Sequence, residues 1–169
     1  MAEEERRIEH PNRDKAGSKA ARAVTVLLLI VTAVLVTVIT VGGWKVLQGA
    51  QPLALVYILL YALFAYYVAK WTRGVLPVVA ALSILLAVIA AVSAPGWFAR
   101  AKDGFLAPAI DANMLGLLTV ILVPVSILLV IFAMRGFQQK WNVEVERSRD
   151  DYDDNEFDEY DDRTQPAGA

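Results

Sequence analysis

An acidic stretch near the C-terminus holds the residues best suited to specific chemistry. Residues 150–162 (DDYDDNEFDEYDD) contain nine Asp and Glu residues among thirteen, interleaved with the rings of Tyr152, Phe157 and Tyr160. Carboxylates combined with spaced rings are typical of a short linear motif that binds a basic partner through charge and apolar pockets. We therefore treat Tyr152, Phe157 and Tyr160 as candidate partner-binding residues. The alternative is a solvated, disordered tail with no specific partner.

A calcium loop is a weaker interpretation of the same stretch. Asp151, Asp153 and Asn155 match the first three ligand positions of such a loop, and Asp162 would stand at the twelfth. The sixth position needs glycine for a sharp turn, and it is occupied by Glu156. We therefore predict no metal site.

A second candidate is a series of rings in the middle of the chain. Tyr57, Tyr61, Phe64 and Trp71 are separated by four, three and seven residues, a spacing that places side chains on one face of a helix. Such a face could form a groove for a lipid tail or a quinone. The simpler interpretation is a packed helix interface, with aromatic anchors at the end of the helix where membrane meets water.

Residues for catalysis or cofactor binding are missing from the apolar part of the chain. Its four long apolar runs contain no Asp, Glu, His, Lys or Arg, the only histidine is His10, and the chain has no cysteine. Ionisable groups within a membrane mark proton and ion pathways, and nucleophilic catalysis needs an activated nucleophile. We therefore expect no enzyme activity and no cofactor. The net charge of −2 gives no reason to expect a nucleic-acid partner.

Those four runs lie in one block, Ala23 to Met134. Only seven of its 112 residues are charged, and these charges lie between, or at the end of, the predicted spans at about 23–44, 52–70, 75–93 and 113–134. A helix rises about 1.5 Å per residue, so each run approaches the roughly 30 Å of a bilayer core. In lipid, a helix is the only single segment that pairs all of its own backbone groups. The sequence predicts an all-α integral membrane protein with four transmembrane helices.

The basic residues predict the orientation. With a cytoplasmic N-terminus, the inside segments up to Arg149 hold twelve Lys and Arg residues and the outside loops hold three, Lys45, Arg100 and Lys102. This asymmetry predicts antiparallel helices in the plasma membrane, with both termini cytoplasmic. Residues 1–22 and 137–169 are predicted as disordered cytoplasmic tails flanking a transmembrane domain at 23–136. The C-terminal tail is basic first and then acidic.

Local signals refine this prediction. Asp111 is placed to cap the fourth helix, and Pro77 falls in the first turn of the third, where its missing N–H costs little. Residues 93–96 (SAPG) predict the end of the third helix. The five-residue turn at 70–74 predicts that the second and third helices are antiparallel neighbours. The default arrangement is a ring in the order one, two, three, four.

Three functions remain open at this point. The favoured one is a non-enzymatic scaffold or accessory subunit that recruits a membrane or cytoplasmic protein through the acidic aromatic tail. The second is a homo-oligomeric pore or passive transporter for a neutral or apolar solute, suggested by uncharged polar residues in the spans (Thr25, Thr32, Thr37, Thr40, Ser83, Thr119 and Ser126). The third is a protein that binds a membrane lipid or quinone at the Tyr57, Tyr61 and Phe64 face.

Overall fold

A computed structural model describes residues 7–9, 11–102, 104–141 and 143–147. Its helices are α1 (Pro11–Asp14), α2 (Ala16–Gly42), α3 (Gln51–Ala69), α4 (Leu76–Arg100) and α5 (Ala112–Gln138), with a 3-10 turn at Arg73–Val75 before α4. Four segments, α2, α3, α4 with its preceding 3-10 turn, and α5, are long and apolar enough to cross a membrane. This confirms the predicted helical, multi-pass class.

The third helix extends beyond its predicted end. α4 runs through Pro95 to Arg100, although residues 93–96 were expected to stop it. Proline is tolerated within membrane helices because neighbouring groups compensate for its missing N–H. The extra turn is also stabilised by packing, since the buried Trp97 ring lies directly against Gly43 at the end of α2. The other two local predictions are confirmed: Pro77 lies in the first turn of α4, and the Asp111 Oδ1 accepts from the Asn113 and Met114 N–H groups.

The prediction of a disordered tail over residues 1–22 is wrong for its second half. Residues 11–14 are helical and α2 already begins at Ala16. Contacts with the segment that follows α5 explain this order: the Asn12 amide donates to the Lys140 carbonyl at 3.2 Å and the Arg13 Nε donates to the Trp141 carbonyl at 3.1 Å. These tertiary hydrogen bonds offset the entropy of ordering a polar segment.

Two three-residue strands extend the same contact. β1 (Arg7–Glu9) pairs antiparallel with β2 (Val145–Arg147). The segments before α2 and after α5 therefore lie at one end of the helical domain. The fourth transmembrane helix, predicted at about 113–134, is also longer than expected, because α5 runs from Ala112 to Gln138.

The four long helices form a ring in which one neighbouring pair, α3 and α4, makes few contacts. α2 packs along both α3 and α5, and α5 packs along α4, whereas α3 and α4 meet only sparsely. The predicted order is therefore found, but the pair joined by the shortest turn is the least closely packed. The buried face of α3 combines the rings of Tyr57, Tyr61 and Phe64 with Ala65 and Val68, whereas α4 and α5 bury several alanines, serines and glycines, which allow close approach. One of these rings still reaches α4, because the Tyr61 hydroxyl lies 3.1 Å from that of Ser83.

Hydroxyl groups mark the inward faces of the helices. Ser18, Thr25 and Thr32 are buried at seven-residue intervals along α2, and Thr119 and Ser126 repeat this spacing on α5. Threonine hydroxyls of both helices donate to the carbonyl four residues earlier at 2.6–2.7 Å (Thr25, Thr32, Thr37, Thr40 and Thr119). Five of the seven groups that suggested a pore are therefore hydrogen-bonded within their own helices. Of the other two, the Ser83 hydroxyl lies 3.1 Å from that of Tyr61, and the Ser126 hydroxyl has no partner among the described residues.

Candidate ligand-binding cavity

A cavity of about 320 Å³ lies between α3 and α4. It is at the end of the domain where α2 finishes, far from the paired strands. Its walls come from α2 (Val36, Ile39, Thr40), the next connector (Val46, Leu47, Ala50), α3 (Leu53, Ala54, Tyr57), α4 (Leu86, Ile89, Ala90, Ser93, Gly96, Trp97, Arg100) and α5 (Thr119, Leu122). The volume and the apolar walls are typical of small-molecule sites, which run from about 300 to 1,000 Å³.

Small side chains on facing helices create this space. Ala50 and Ala54 stand one turn apart at the start of α3, while α4 presents Ala90, Ser93 and Gly96. Larger side chains such as Leu53, Ile89 and Trp97 line the space without filling it. The cavity therefore lies where α3 and α4 make few contacts.

The cavity opens sideways between the two helices. Leu53 and Ile89 line it, yet they are 52% and 38% exposed on the outer surface of α3 and α4. In a bilayer, that surface faces acyl chains and not water. A ligand dissolved in the membrane could enter without crossing an aqueous phase.

Tyr57 gives the cavity wall a buried polar feature. The residue is only 5% exposed, and its hydroxyl has no hydrogen-bond partner among the described residues. The next ring, Tyr61, stacks on it at 6.0 Å between centroids, but its hydroxyl lies 3.1 Å from that of Ser83 on α4. A buried polar group without a partner costs about 1–3 kcal/mol. Tyr57 is therefore the group in the cavity that a ligand oxygen could satisfy.

The other two predicted aromatic residues serve different purposes. Phe64 is buried in the core and does not line the cavity. The prediction that Trp71 continues the same helical face is wrong, because α3 ends at Ala69. Trp71 has a φ of +64°, a left-handed backbone conformation that glycine usually adopts at the end of a helix. This turn redirects its ring away from the face of α3.

Trp71 instead helps to seal the opposite end of the domain. Its ring meets that of Trp141 edge-on, with centroids 5.3 Å apart. The Arg22 guanidinium lies 4.3 Å from the Trp71 ring centroid and also donates to the Ala69 carbonyl at 3.1 Å. Cation–π and aromatic contacts of this kind stabilise a packed interface. They offset the roughly 1–2 kcal/mol cost of a left-handed backbone.

Arg100 is a cavity residue that the sequence did not identify. Of the residues that line the cavity, Arg100 is the one with a charged side chain. It lies at the exposed C-terminal end of α4. In the sequence it is one of three basic residues in the loops predicted to face outside, with nothing to distinguish it. The unexpected continuation of α4 through Pro95 is what brings Arg100 to the cavity mouth.

The remaining predicted site residues lie elsewhere. Tyr152, Phe157 and Tyr160 are outside the described residues, as is the whole acidic stretch. Among the residues that the structure describes, no group of three or more His, Cys, Asp or Glu side chains could hold a metal ion.

Comparison with protein-family models, with curated proteins and with solved structures finds no match to this chain.

Proposed function

We propose that this protein is a non-enzymatic membrane protein that binds one amphiphilic molecule from the bilayer, a lipid or a quinone, between α3 and α4. The observation that carries the proposal is the buried Tyr57 hydroxyl, which has no protein partner in the described residues and lines an apolar, laterally open cavity. Ligand sites commonly combine apolar walls with a few placed polar groups. A ligand oxygen would both fill the space and accept the hydrogen bond.

The proposal includes antiparallel helices in the plasma membrane with both termini cytoplasmic. Three contacts support the antiparallel arrangement: Arg22 near the start of α2 bonds to Ala69 at the end of α3, Arg73 before α4 bonds to Phe137 near the end of α5, and Ala109 before α5 bonds to Gly42. The excess of basic residues supports the sidedness. The cavity then opens in the outer leaflet.

Cysteine labelling tests this orientation, because the chain has no cysteine of its own. Gln48→Cys lies in the connector after α2, and Gly74→Cys lies in the turn before α4; both positions are exposed. We expect a membrane-impermeant maleimide to label intact cells carrying the first variant, and to label the second only after permeabilisation. The reverse pattern would place the termini outside.

Tyr57→Phe tests the function through two opposite effects. Without a ligand, the change removes an unpartnered buried hydroxyl, so thermal stability in detergent is expected to be unchanged or to rise. With a ligand, the lost hydrogen bond is expected to weaken binding by about 1 kcal/mol, or roughly fivefold. Native mass spectrometry of the protein released from its own membranes would measure the bound fraction.

Tyr66→Phe is the matched control, since this hydroxyl is on the exposed side of the same helix. It should change neither stability nor the bound fraction. A Tyr57→Phe protein that retains its full bound fraction, or a wild-type protein that carries no lipid or quinone under the mildest release conditions, would refute the proposal.

A second candidate function is the recruitment of a basic partner by the acidic aromatic tail. The paired strands favour it, because β2 ends at Arg147, three residues before the acidic stretch begins, and is held at one end of the domain. If the tail recruits a membrane or cytoplasmic protein, a chain ending at Arg149 should lose that protein in pull-down experiments while still binding its cavity ligand. Undiminished capture by the shortened chain would rule the tail out.

A further inference from the structure

We infer that the cavity ligand is an anionic glycerophospholipid, whose phosphate headgroup lies beside Arg100 and whose ester carbonyl accepts a hydrogen bond from Tyr57. This inference rests on the proposed function, because it names the class of molecule that the same cavity takes. It also separates the two ligand classes left open above, since a quinone is uncharged.

Two positive features lie at the mouth of the cavity, and the full charge of Arg100 outweighs the partial negative charge at the C-terminal end of α4, where Arg100 is located. Arg100 contributes a full charge from the C-terminal end of α4. Across the cavity, α3 begins at Gln51 with Ala50 as its N-cap, and neither a capping side chain nor an acidic residue in the first turn offsets its positive dipole end. The contrast is α5, whose N-terminus is capped by the Asp111 carboxylate. An anion at the mouth would interact favourably with both features.

The depth of Tyr57 matches a second oxygen in the ligand. Tyr57 follows Gln51 by six residues, which places it about 9 Å further along α3. A ligand that carries only a terminal charge would leave this hydroxyl unsatisfied. In a glycerophospholipid the ester carbonyls lie below the phosphate, towards the acyl chains, so one molecule can meet both the positive mouth and the buried donor.

The remaining shape fits one acyl chain. Below Tyr57 the walls are the buried Leu86 and Leu122, which offer no further hydrogen bond to a ligand. A volume of about 320 Å³ is at the small end of the range for ligand sites, which is consistent with one chain inside. The sideways opening past Leu53 and Ile89 lets the second chain remain in the bilayer.

The test is a lipid competition measured by native mass spectrometry. The full chain is reconstituted in nanodiscs with equal amounts of phosphatidylglycerol and phosphatidylcholine, then released, and the retained lipid is identified. We expect the wild-type protein to retain phosphatidylglycerol in preference to phosphatidylcholine. Arg100→Gln should lower that preference by about three- to fivefold, the size expected for a solvent-accessible ion pair.

Lys102→Gln is the control, because Lys102 is exposed two residues further along and does not line the cavity. Its preference should equal that of the wild type. Unchanged selectivity in Arg100→Gln, or an equal loss in both variants, would overturn the inference by showing general surface attraction. A quinone that copurifies with the protein from its own membranes and keeps both lipids out would overturn the inference but leave the proposed function standing. A wild-type protein that retains neither lipid and carries no quinone would overturn both.

Discussion

Replacing Trp141 with alanine is expected to lower the free energy of unfolding by about 3–5 kcal/mol, the cost of removing a large buried ring. Trp141 is fully buried although it lies beyond the last long helix. Its ring packs edge-on against Trp71 and sits so close to Gly136 that an added Cβ there would lie 2.9 Å from it.

Trp141 also fixes the backbone around it. Its carbonyl accepts the hydrogen bond from Arg13, and its indole N–H donates to the Gln139 side chain at 3.1 Å. Loss of the ring would therefore loosen the segment before α2 as well as the end of α5. Denaturant titration in a fixed detergent, followed by circular dichroism, would measure the change.

Trp44→Ala is the matched control for this experiment. Trp44 is 47% exposed at the opposite end of the domain, so its loss should cost less than about 1 kcal/mol, as is usual for surface positions. Equal destabilisation by the two substitutions would contradict the assignment of Trp141 as a structural seal. It would indicate that both rings act only by contact with lipid or detergent.

Replacing Ala54 with phenylalanine is expected to abolish most ligand binding, lowering the retained ligand at least about tenfold, or 1.4 kcal/mol. Ala54 lines the cavity from α3, one turn before Tyr57. A phenyl ring at this position would occupy volume that the ligand needs, and densely packed interiors do not hold both. The ring fills existing space, so thermal stability should be unchanged or higher.

Ala62→Phe provides the comparison within the same helix. Ala62 is exposed and is not part of the cavity wall, so the added ring should face lipid and leave binding intact. The bound fraction is again read by native mass spectrometry. Equal binding by the wild type and Ala54→Phe would show that the retained molecule lies elsewhere on the protein, and unfolding of Ala54→Phe would show that this space is not available to a side chain.

The sequence was sufficient to predict the helical class because the relevant physics is local. Uncharged runs of about 20 residues can satisfy their own backbone in lipid only as helices, and Asp111 and Pro77 act within their own helix termini. The inward faces were harder to predict, because every helix is apolar on all sides. The seven-residue spacing of Ser18, Thr25 and Thr32 was the available signal, and it is visible only once hydroxyl groups are expected at packed interfaces.

The ends of the domain could not be predicted, because long-range contacts determine them. Residues 11–22 look like a polar tail, and their order depends on the carbonyls of Lys140 and Trp141, more than 100 residues away. The left-handed turn at Trp71 likewise depends on its contact with Trp141. Nothing in the sequence around Lys140 and Trp141 indicates that these residues make such contacts.

The candidate cavity could be predicted only in part. The spacing of Tyr57, Tyr61 and Phe64 correctly indicated one buried helical face, and Tyr57 does line the cavity. The space itself arises from what is missing between α3 and α4, and single alanines and glycines in apolar runs give no sign of it. Arg100 reaches the mouth because α4 continues through Pro95, against the usual effect of a Pro-Gly pair.

The most direct test of the central claim is an image of the cavity in lipid. A cryo-electron microscopy structure of the protein in nanodiscs made with its own membrane lipids, enlarged by a bound antibody fragment, would show the space between α3 and α4. We predict continuous density from beside Arg100, past the Tyr57 hydroxyl, to Leu86. Direct packing of α3 against α4, with no space between them and Tyr57 hydrogen-bonded to the protein, would contradict the account.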